Sequence, residues 1–305
     1  MLCPGLWPTT RSVQLRFHTF RSHLPWEPWR AQGLAVGLAV GLCLASFGVA
    51  WASEAGLRPV VKACGHHAYP PWNWQRGDQI VGTCADLARE ALRAVGYDID
   101  LRFVGPWPRC QKLVESGQVD VNICALDSTA RRAYSTPVFP AMAANPIGLF
   151  FRADRPGPVV RSEELKGLRV AVVRGVSFGD TLDTHLRQHA QIQTTSNDRQ
   201  SFSMLLLGRV DAVVTGLELG RLTLEQAGCQ HQVMATVAPF TSGDLHLFVS
   251  HHSPLMAHLP QLQQFFRERH KPADIDAMNA RHRAAYIKES SEGLARQPTT
   301  TCLMQ

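Results

Sequence analysis

Two stretches, Ser116-Gly-Gln-Val-Asp-Val-Asn-Ile123 and Leu207-Gly-Arg-Val-Asp-Ala-Val-Val214, read alike and decide the fold. Each follows a helical pattern with a glycine, then Val-Asp, then an apolar strand. The glycine fits a left-handed helix C-cap, and the aspartate opens the strand. Their separation of about 90 residues is a weak internal repeat, which predicts two lobes of one kind.

Working outward, the first copy is preceded by a strand over Pro59–Cys64 and a Pro- and aromatic-rich loop from Gly65 to Trp74. A helix over Asp86–Val95 follows, with Leu87, Ala91, Leu92 and Val95 at helical spacing and Gly96 as its stop. Ile99, Leu101 and Phe103 alternate as a strand, and Pro108–Glu115 is a short helix. The second copy is preceded by a strand over Leu168–Val173, a helix after Gly175-Val-Ser177, a strand over Gln191–Thr195 and a helix from Asp198 to Leu207. Strand and helix alternating in this way imply parallel sheets covered on both faces. The expected fold class is α/β, two Rossmann-like lobes with a two-segment hinge. The chain leaves lobe one at about 146 and returns at about 245, so lobe one is 53–145 plus 246–286 and lobe two is 146–245. Pro254–Arg269 and Pro272–Tyr286 read as helices, and 287–305 as a loose tail.

The N-terminus has a different character. Arg11, Arg16, Arg21 and Arg30 face a single acid, Glu27, before an apolar run from Leu34 to Ala50 that ends in Ala50-Trp51-Ala52. A basic flank, an apolar core and small residues at the exit describe a secretory signal over 1–52. At about 17 residues the run is at the short limit for a membrane anchor, the alternative. Removing it takes half of the formal +6 charge with it. No basic stripe with interleaved aromatics remains, which argues against nucleic acid. Six cysteines remain: Cys64, Cys84, Cys110, Cys124, Cys229 and Cys302. An even number in an exported chain points to disulfides, whose pairing the sequence does not choose. Cys64 with His66 and His67 is the alternative as a metal cluster, but no Cys-x-x-Cys pair supports it, and no metal or cofactor is expected.

The order of motifs carries a resemblance. Tyr69-Pro-Pro-Trp72, Val81-Gly-Thr-Cys-Ala-Asp-Leu87, Trp107, Ser116-Gly-Gln-Val-Asp120, Asp127-Ser-Thr-Ala-Arg-Arg132 and Ser135-Thr-Pro137 follow one another at consistent spacing. Leu165-Lys-Gly-Leu-Arg-Val-Ala-Val172, Gly175-Val-Ser177 and Gly208-Arg-Val-Asp-Ala212 continue the series. The set resembles bacterial extracellular solute-binding protein family 3, of the type II periplasmic-binding-protein kind, over about 59–285.

The resemblance implies a ligand held between the lobes. In its Thr-x-x-Arg motif the arginine clamps a carboxylate through two parallel charge-assisted bonds, a role that falls on Arg132. Backbone amides at a helix start in lobe two, around Gly175 and Ser177, would receive the same anion. Tyr69 and Trp107 match the aromatic pair that sandwiches the ligand. Ala125 and Asp127 stand where hydroxyl residues are usual, and an acid beside Arg132 either pairs with it or takes an ammonium. The strand after the second repeat ends Val214-Thr215-Gly216, with Thr215 where an acid is usual and Glu218 late. Cys84 and Cys124 match pocket-facing positions, where a disulfide would stiffen the floor and a reactive thiol pair is the alternative. His66 lies at the cleft as a possible ligand contact.

Three functions compete. The first is capture of a small polar, carboxylate-bearing metabolite, an amino acid or a relative, by a monomeric periplasmic protein that feeds an ABC-type membrane permease or a receptor. The second is a sensing or accessory domain uncoupled from transport. The third is an enzyme resembling cyclohexadienyl dehydratases, which needs a general acid in the cleft; Asp127, Glu218 and His66 are the candidates, but no acid–base pair is marked by spacing. Binding without catalysis is the expectation.

Overall fold

The computed structural model describes residues 57–155, 165–237, 243–269, 271–294 and 302. The expected signal segment lies outside them. Among the described residues no helix is long and apolar enough to cross a membrane.

In chain order the first part contains β1 (Val60–Cys64), β2 (Ala68–Tyr69), β3 (Asn73–Arg76), β4 (Gln79–Val81), α1 (Thr83–Ala94), β5 (Asp98–Leu101), α2 (Trp107–Glu115) and β6 (Val121–Leu126). Then come α3 (Thr129–Arg132), β7 (Ser135–Pro137) and β8 (Ala143–Ala144). The second part contains β9 (Ile147–Arg152), β10 (Arg169–Val173), α4 (Asp180–His189), β11 (Gln191–Thr195), α5 (Asp198–Leu206), β12 (Ala212–Gly216), α6 (Leu217–Gln226) and β13 (Val233–Val237). The chain closes with β14 (Asp244–Ser250), α7 (Leu259–Arg269) and α8 (Pro272–Leu294).

These strands form two principal sheets. One runs β5-β1-β6-β14-β7, with β8 also on β14; the other runs β11-β10-β12-β9-β13. In each, the second strand in this order pairs in parallel with both neighbours, β1 with β5 and β6, β10 with β11 and β12. In each, an antiparallel strand follows, β14 beside β6 and β9 beside β12. The strands β2, β3 and β4 make a small separate sheet.

The repeat read from the sequence has a physical purpose. Gly117 and Gly208 sit just past α2 and α5 with φ of 72° and 69°, a region that costs a side chain energy and glycine little. The carboxylate of Asp120 then accepts the Lys62 amide, and that of Asp211 accepts the Arg169 amide, each at 2.9 Å. Each aspartate thus ties the strand it opens, β6 or β12, to that strand's parallel neighbour, β1 or β10. Helix α1 shows how the layers are held. Leu87, Ala88, Ala91 and Leu92 are buried on one face, while Arg89, Glu90 and Arg93 remain at or near the surface. Full burial of one leucine side chain is worth about 1.5–3 kcal/mol.

The chain crosses between the sheets after Ala144 and again between Val237 and Asp244. It also spans both at the back. The expected loose tail from 287 is corrected: α8 continues to Leu294 because it has partners on both lobes. On the first lobe Asn279 accepts the Thr83 hydroxyl at 3.1 Å, and His282 meets Asp86 at 2.8 Å. On the second, Arg283 donates to Glu218 at 2.9 Å and to Glu225 at 2.6 Å, and Ser290 accepts from Gln226 at 2.7 Å. Beyond the helix, Cys302 is bonded to Cys229 of the second lobe. The other pairs are Cys64–Cys110 and Cys84–Cys124.

Candidate functional site

The C-terminal ends of β1, β6, β10 and β12 converge on one cavity, as parallel sheets require of a ligand cleft. It holds about 500 Å³ of empty space counted out to its open mouth, and residues of both lobes line it. Six of the ten residues expected from the sequence stand in its wall: His66, Tyr69, Trp107, Ala125, Ser177 and Thr215. Arg132, Asp127, Gly175 and Cys84 do not.

The largest correction concerns the arginine. Arg132 points outward, its side chain 55% exposed, and both oxygens of Asp127 hold it, one of them at 2.8 Å from Nε. Arg131 takes the inner place. It is buried and lines the cavity, and it donates to the Leu126 carbonyl. The cause is the register of α3. Ser128 is the N-cap, its hydroxyl accepting the Arg131 amide, so the third residue after the cap is Arg131. The guanidinium carbon lies 5.7 Å from the Trp107 ring centroid, within cation–π range. Burial pulls its pKa down, partly offset by Tyr134 and by Asp183, Asp127 and Asp180 acting through space. Among the described residues no carboxylate reaches salt-bridge distance of Arg131, so a buried cation is left without an ionic partner.

The second lobe answers with an acid that the sequence reading passed over. Asp198, at the first turn of α5, is buried and lines the cavity. Burial pushes its pKa up to about 6, against a hydrogen bond from Thr215 that lowers it. Among the described residues its Oδ1 has no hydrogen-bond partner. A buried carboxylate oxygen without a donor is costly unless something enters to meet it.

The expected amide cradle in lobe two is partly occupied by the chain itself, the Val176 amide donating to the Val173 carbonyl at 3.2 Å. Asp183, one turn into α4, accepts the Phe178 amide at 2.9 Å and the Ser177 hydroxyl at 2.6 Å. The chain supplies its own carboxylate there. Gly175 is instead a point of contact between lobes: at φ 77°, an added Cβ would lie 2.5 Å from Pro108 Cγ. Cys84 is fully buried behind the wall and reaches the cavity only through its bond to Cys124, which does line it.

The aromatic wall is held in place by polar contacts. Tyr69 Oη accepts from Asn145 Nδ2 at 3.0 Å, and Asn145 Oδ1 accepts the Glu218 amide at 3.4 Å, at the first crossing between sheets. Gly216 is what permits this approach, since a Cβ there would be 2.4 Å from Asn145 Nδ2 and 2.8 Å from Tyr69 Oη. His66 Nδ1 accepts the Ala68 amide at 3.1 Å, which leaves Nε2 as the donor. Burial first, then His67, lowers the His66 pKa to about 3, so it is a neutral ring beside Trp107. Among the described residues no group of His, Cys, Asp and Glu has the arrangement of a metal site.

The profile of the bacterial extracellular solute-binding proteins, family 3, matches residues 61–221. The chain belongs to that family. The match runs through both lobes and contains every residue of the cavity wall named above. No curated protein matches the sequence. Among solved structures, an ancestral arginine-binding protein bound to arginine is 18% identical, with a TM-score of 0.58, over 74% of this chain and 98% of that one. A histidine kinase sensor domain with similarity to periplasmic binding proteins is 18% identical, with a TM-score of 0.61, over 74% and 96%. The GluR0 ligand-binding core in complex with L-glutamate is 18% identical, with a TM-score of 0.60, over 74% and 98%. These likenesses establish the type II periplasmic-binding-protein fold for this family 3 chain.

Proposed function

We propose that this solute-binding protein captures a small metabolite carrying a carboxylate and an ammonium, an amino acid or a close relative, between its lobes. The observation that carries the reading is the pair of uncompensated charges in one cavity wall: Arg131 from the first lobe and Asp198 from the second. Each is buried at a cost that a ligand of opposite charge offsets. A carboxylate meets Arg131 and an ammonium meets Asp198, while Tyr69, Trp107, Phe178 and Leu219 cover the body. A ligand touching both lobes stabilises the closed form over the open one.

Binding without chemistry fits the wall, where His66 is neutral and the acid Asp198 has a hydroxyl, not a base, as its partner. The wider role is uptake: a periplasmic monomer that delivers its ligand to an ABC-type permease. The sensor-domain likeness supports a second role for the same site, in which closure signals to a receptor. The test is a thermal-shift screen of amino acids, small carboxylates and polyamines against wild type and Arg131→Met. The expected result is stabilisation by compounds bearing both charges in wild type alone. Stabilisation by polyamines only, or equal stabilisation of the variant, would overturn the reading.

A further inference from the structure

We propose that the Cys84–Cys124 disulfide is a thiol-exchange site in the cavity wall, where a small thiol that also carries a carboxylate is captured covalently. This rests on the reading of the interlobe cavity as the ligand site and names a ligand class for it.

The three disulfides differ in setting. Cys64 and Cys110 are fully buried beside Val114 and Phe248, and Cys229 and Cys302 pack near Leu205 and Leu224. Neither pair lines the interlobe cavity. Cys124 does, next to Ala125 and Leu126 and in the same wall as Arg131. Cys124 is also the one non-glycine residue with positive φ among the described residues, at 57°, within the buried strand β6. Left-handed backbone at a residue with a side chain is held only where its surroundings impose it, and such residues gather at ligand sites. Cys84 is the second residue of α1, a helix of 12 residues whose N-terminal end favours a thiolate.

These placements set the direction of exchange. The incoming thiolate attacks the Sγ of Cys124, the half of the pair that lines the cavity. A new S–S bond joins the ligand to Cys124 as the bond to Cys84 breaks. Cys84 leaves as a thiolate at the helix start and takes up the proton that the incoming thiol lost. One thiol and one disulfide become one thiol and one disulfide, so no outside oxidant is required. A lower leaving-group pKa speeds this step. Arg131 holds the ligand's carboxylate, which raises the local concentration of its thiol at Cys124. Return of Cys84 onto Cys124 releases the ligand intact.

The experiment treats the folded full chain with 3-mercaptopropionate, with L-cysteine and with cysteamine, which has no carboxylate. Adducts are mapped by mass spectrometry under non-reducing conditions. The proposal expects one mixed disulfide at Cys124, formed several-fold faster by the two carboxylates than by cysteamine, with the other two pairs unchanged. Cys84→Ser, treated with the symmetrical disulfide of 3-mercaptopropionate, should keep the adduct, since the Cys124 thiolate displaces one mercaptopropionate and no resolving thiol remains; if that variant does not fold, the wild-type map decides. No adduct at Cys124, equal rates for all three thiols, or earlier opening of either other pair overturns it. A non-thiol amino acid that still stabilises wild type but not Arg131→Met would leave the ligand site standing while this proposal fell.

Discussion

The amide and the hydroxyl of Thr129 both donate to one oxygen of Asp180, at 2.9 and 2.6 Å, and so join α3 of the first lobe to the start of α4 in the second. These bonds lower the Asp180 pKa. They exist only while the lobes are together, so they add to the closed form without touching the ligand. Asp180 is exposed, which screens the contact and limits it to about 0.5–1 kcal/mol. Asp180→Ala should therefore speed ligand release by about two- to fivefold, read by stopped-flow displacement. An unchanged rate would mean that the rim contact does not contribute to closure.

Arg131 and Arg132 make opposite predictions from adjacent positions. Arg131→Met removes a buried charge and its ligand contact, which should cost roughly 2–5 kcal/mol of binding, at least about 30-fold in Kd. The ligand-free chain should become no less stable, because the methionine fills similar volume without an unpaired cation. Arg132→Ala breaks an exposed pair with Asp127 and should leave Kd within about twofold. Titration calorimetry of the two variants separates them.

The raised pKa of Asp198 gives ligand binding a pH dependence of known sign. The ordinary carboxyl value is 3.8 and the folded value is about 6. The empty folded chain therefore carries the proton between those values, and an ammonium ligand has to displace it. Affinity should fall below about pH 6, approaching tenfold per pH unit, and Asp198→Asn should abolish the slope. A flat profile in wild type would show that Asp198 does not meet the cation.

The buried His66 makes folding sensitive to acid. Its folded pKa of about 3 lies below the ordinary 6.5, so the unfolded chain takes a proton first as pH falls. Its contribution is present above about 6.5 and is lost progressively towards 3. Asp198 acts in the other direction between about 4 and 6, where the folded chain holds its proton, but the His66 displacement is the larger of the two. The two slopes cancel between about 4 and 6, so Tm should fall from pH 6.5 to 6, hold nearly level to about 4 and fall again towards 3, and Asp198→Asn should remove the plateau.

Periodicity and turn chemistry made the scaffold legible. Gly117 and Gly208 with their following aspartates announced both lobes, because a left-handed cap and a strand-opening carboxylate are local requirements. The site was less legible, because it depends on which way neighbouring side chains face. Counting Thr-x-x-Arg from Thr129 selects Arg132, whereas counting from the N-cap Ser128 selects Arg131. Asp127 carried the clue, since an acid just before a short helix is placed to take the outer arginine. Asp198 gave little signal: an aspartate at a helix start is ordinary, and only the tertiary fold buries it beside Thr215. Asp183 was hidden in the same way, one turn beyond the Phe178 amide that it accepts.

The long C-terminal helix changes what kind of motion this molecule can make. Two hinge segments alone would let the halves gape like a clam. With Asn279 and His282 anchored on one side, Arg283 and Ser290 on the other, and Cys302 stitched to Cys229, the rear edge is braced. Admission of a guest should then favour a twist about that brace over a wide yawn, and small-angle scattering of the vacant and loaded protein should return nearly the same outline.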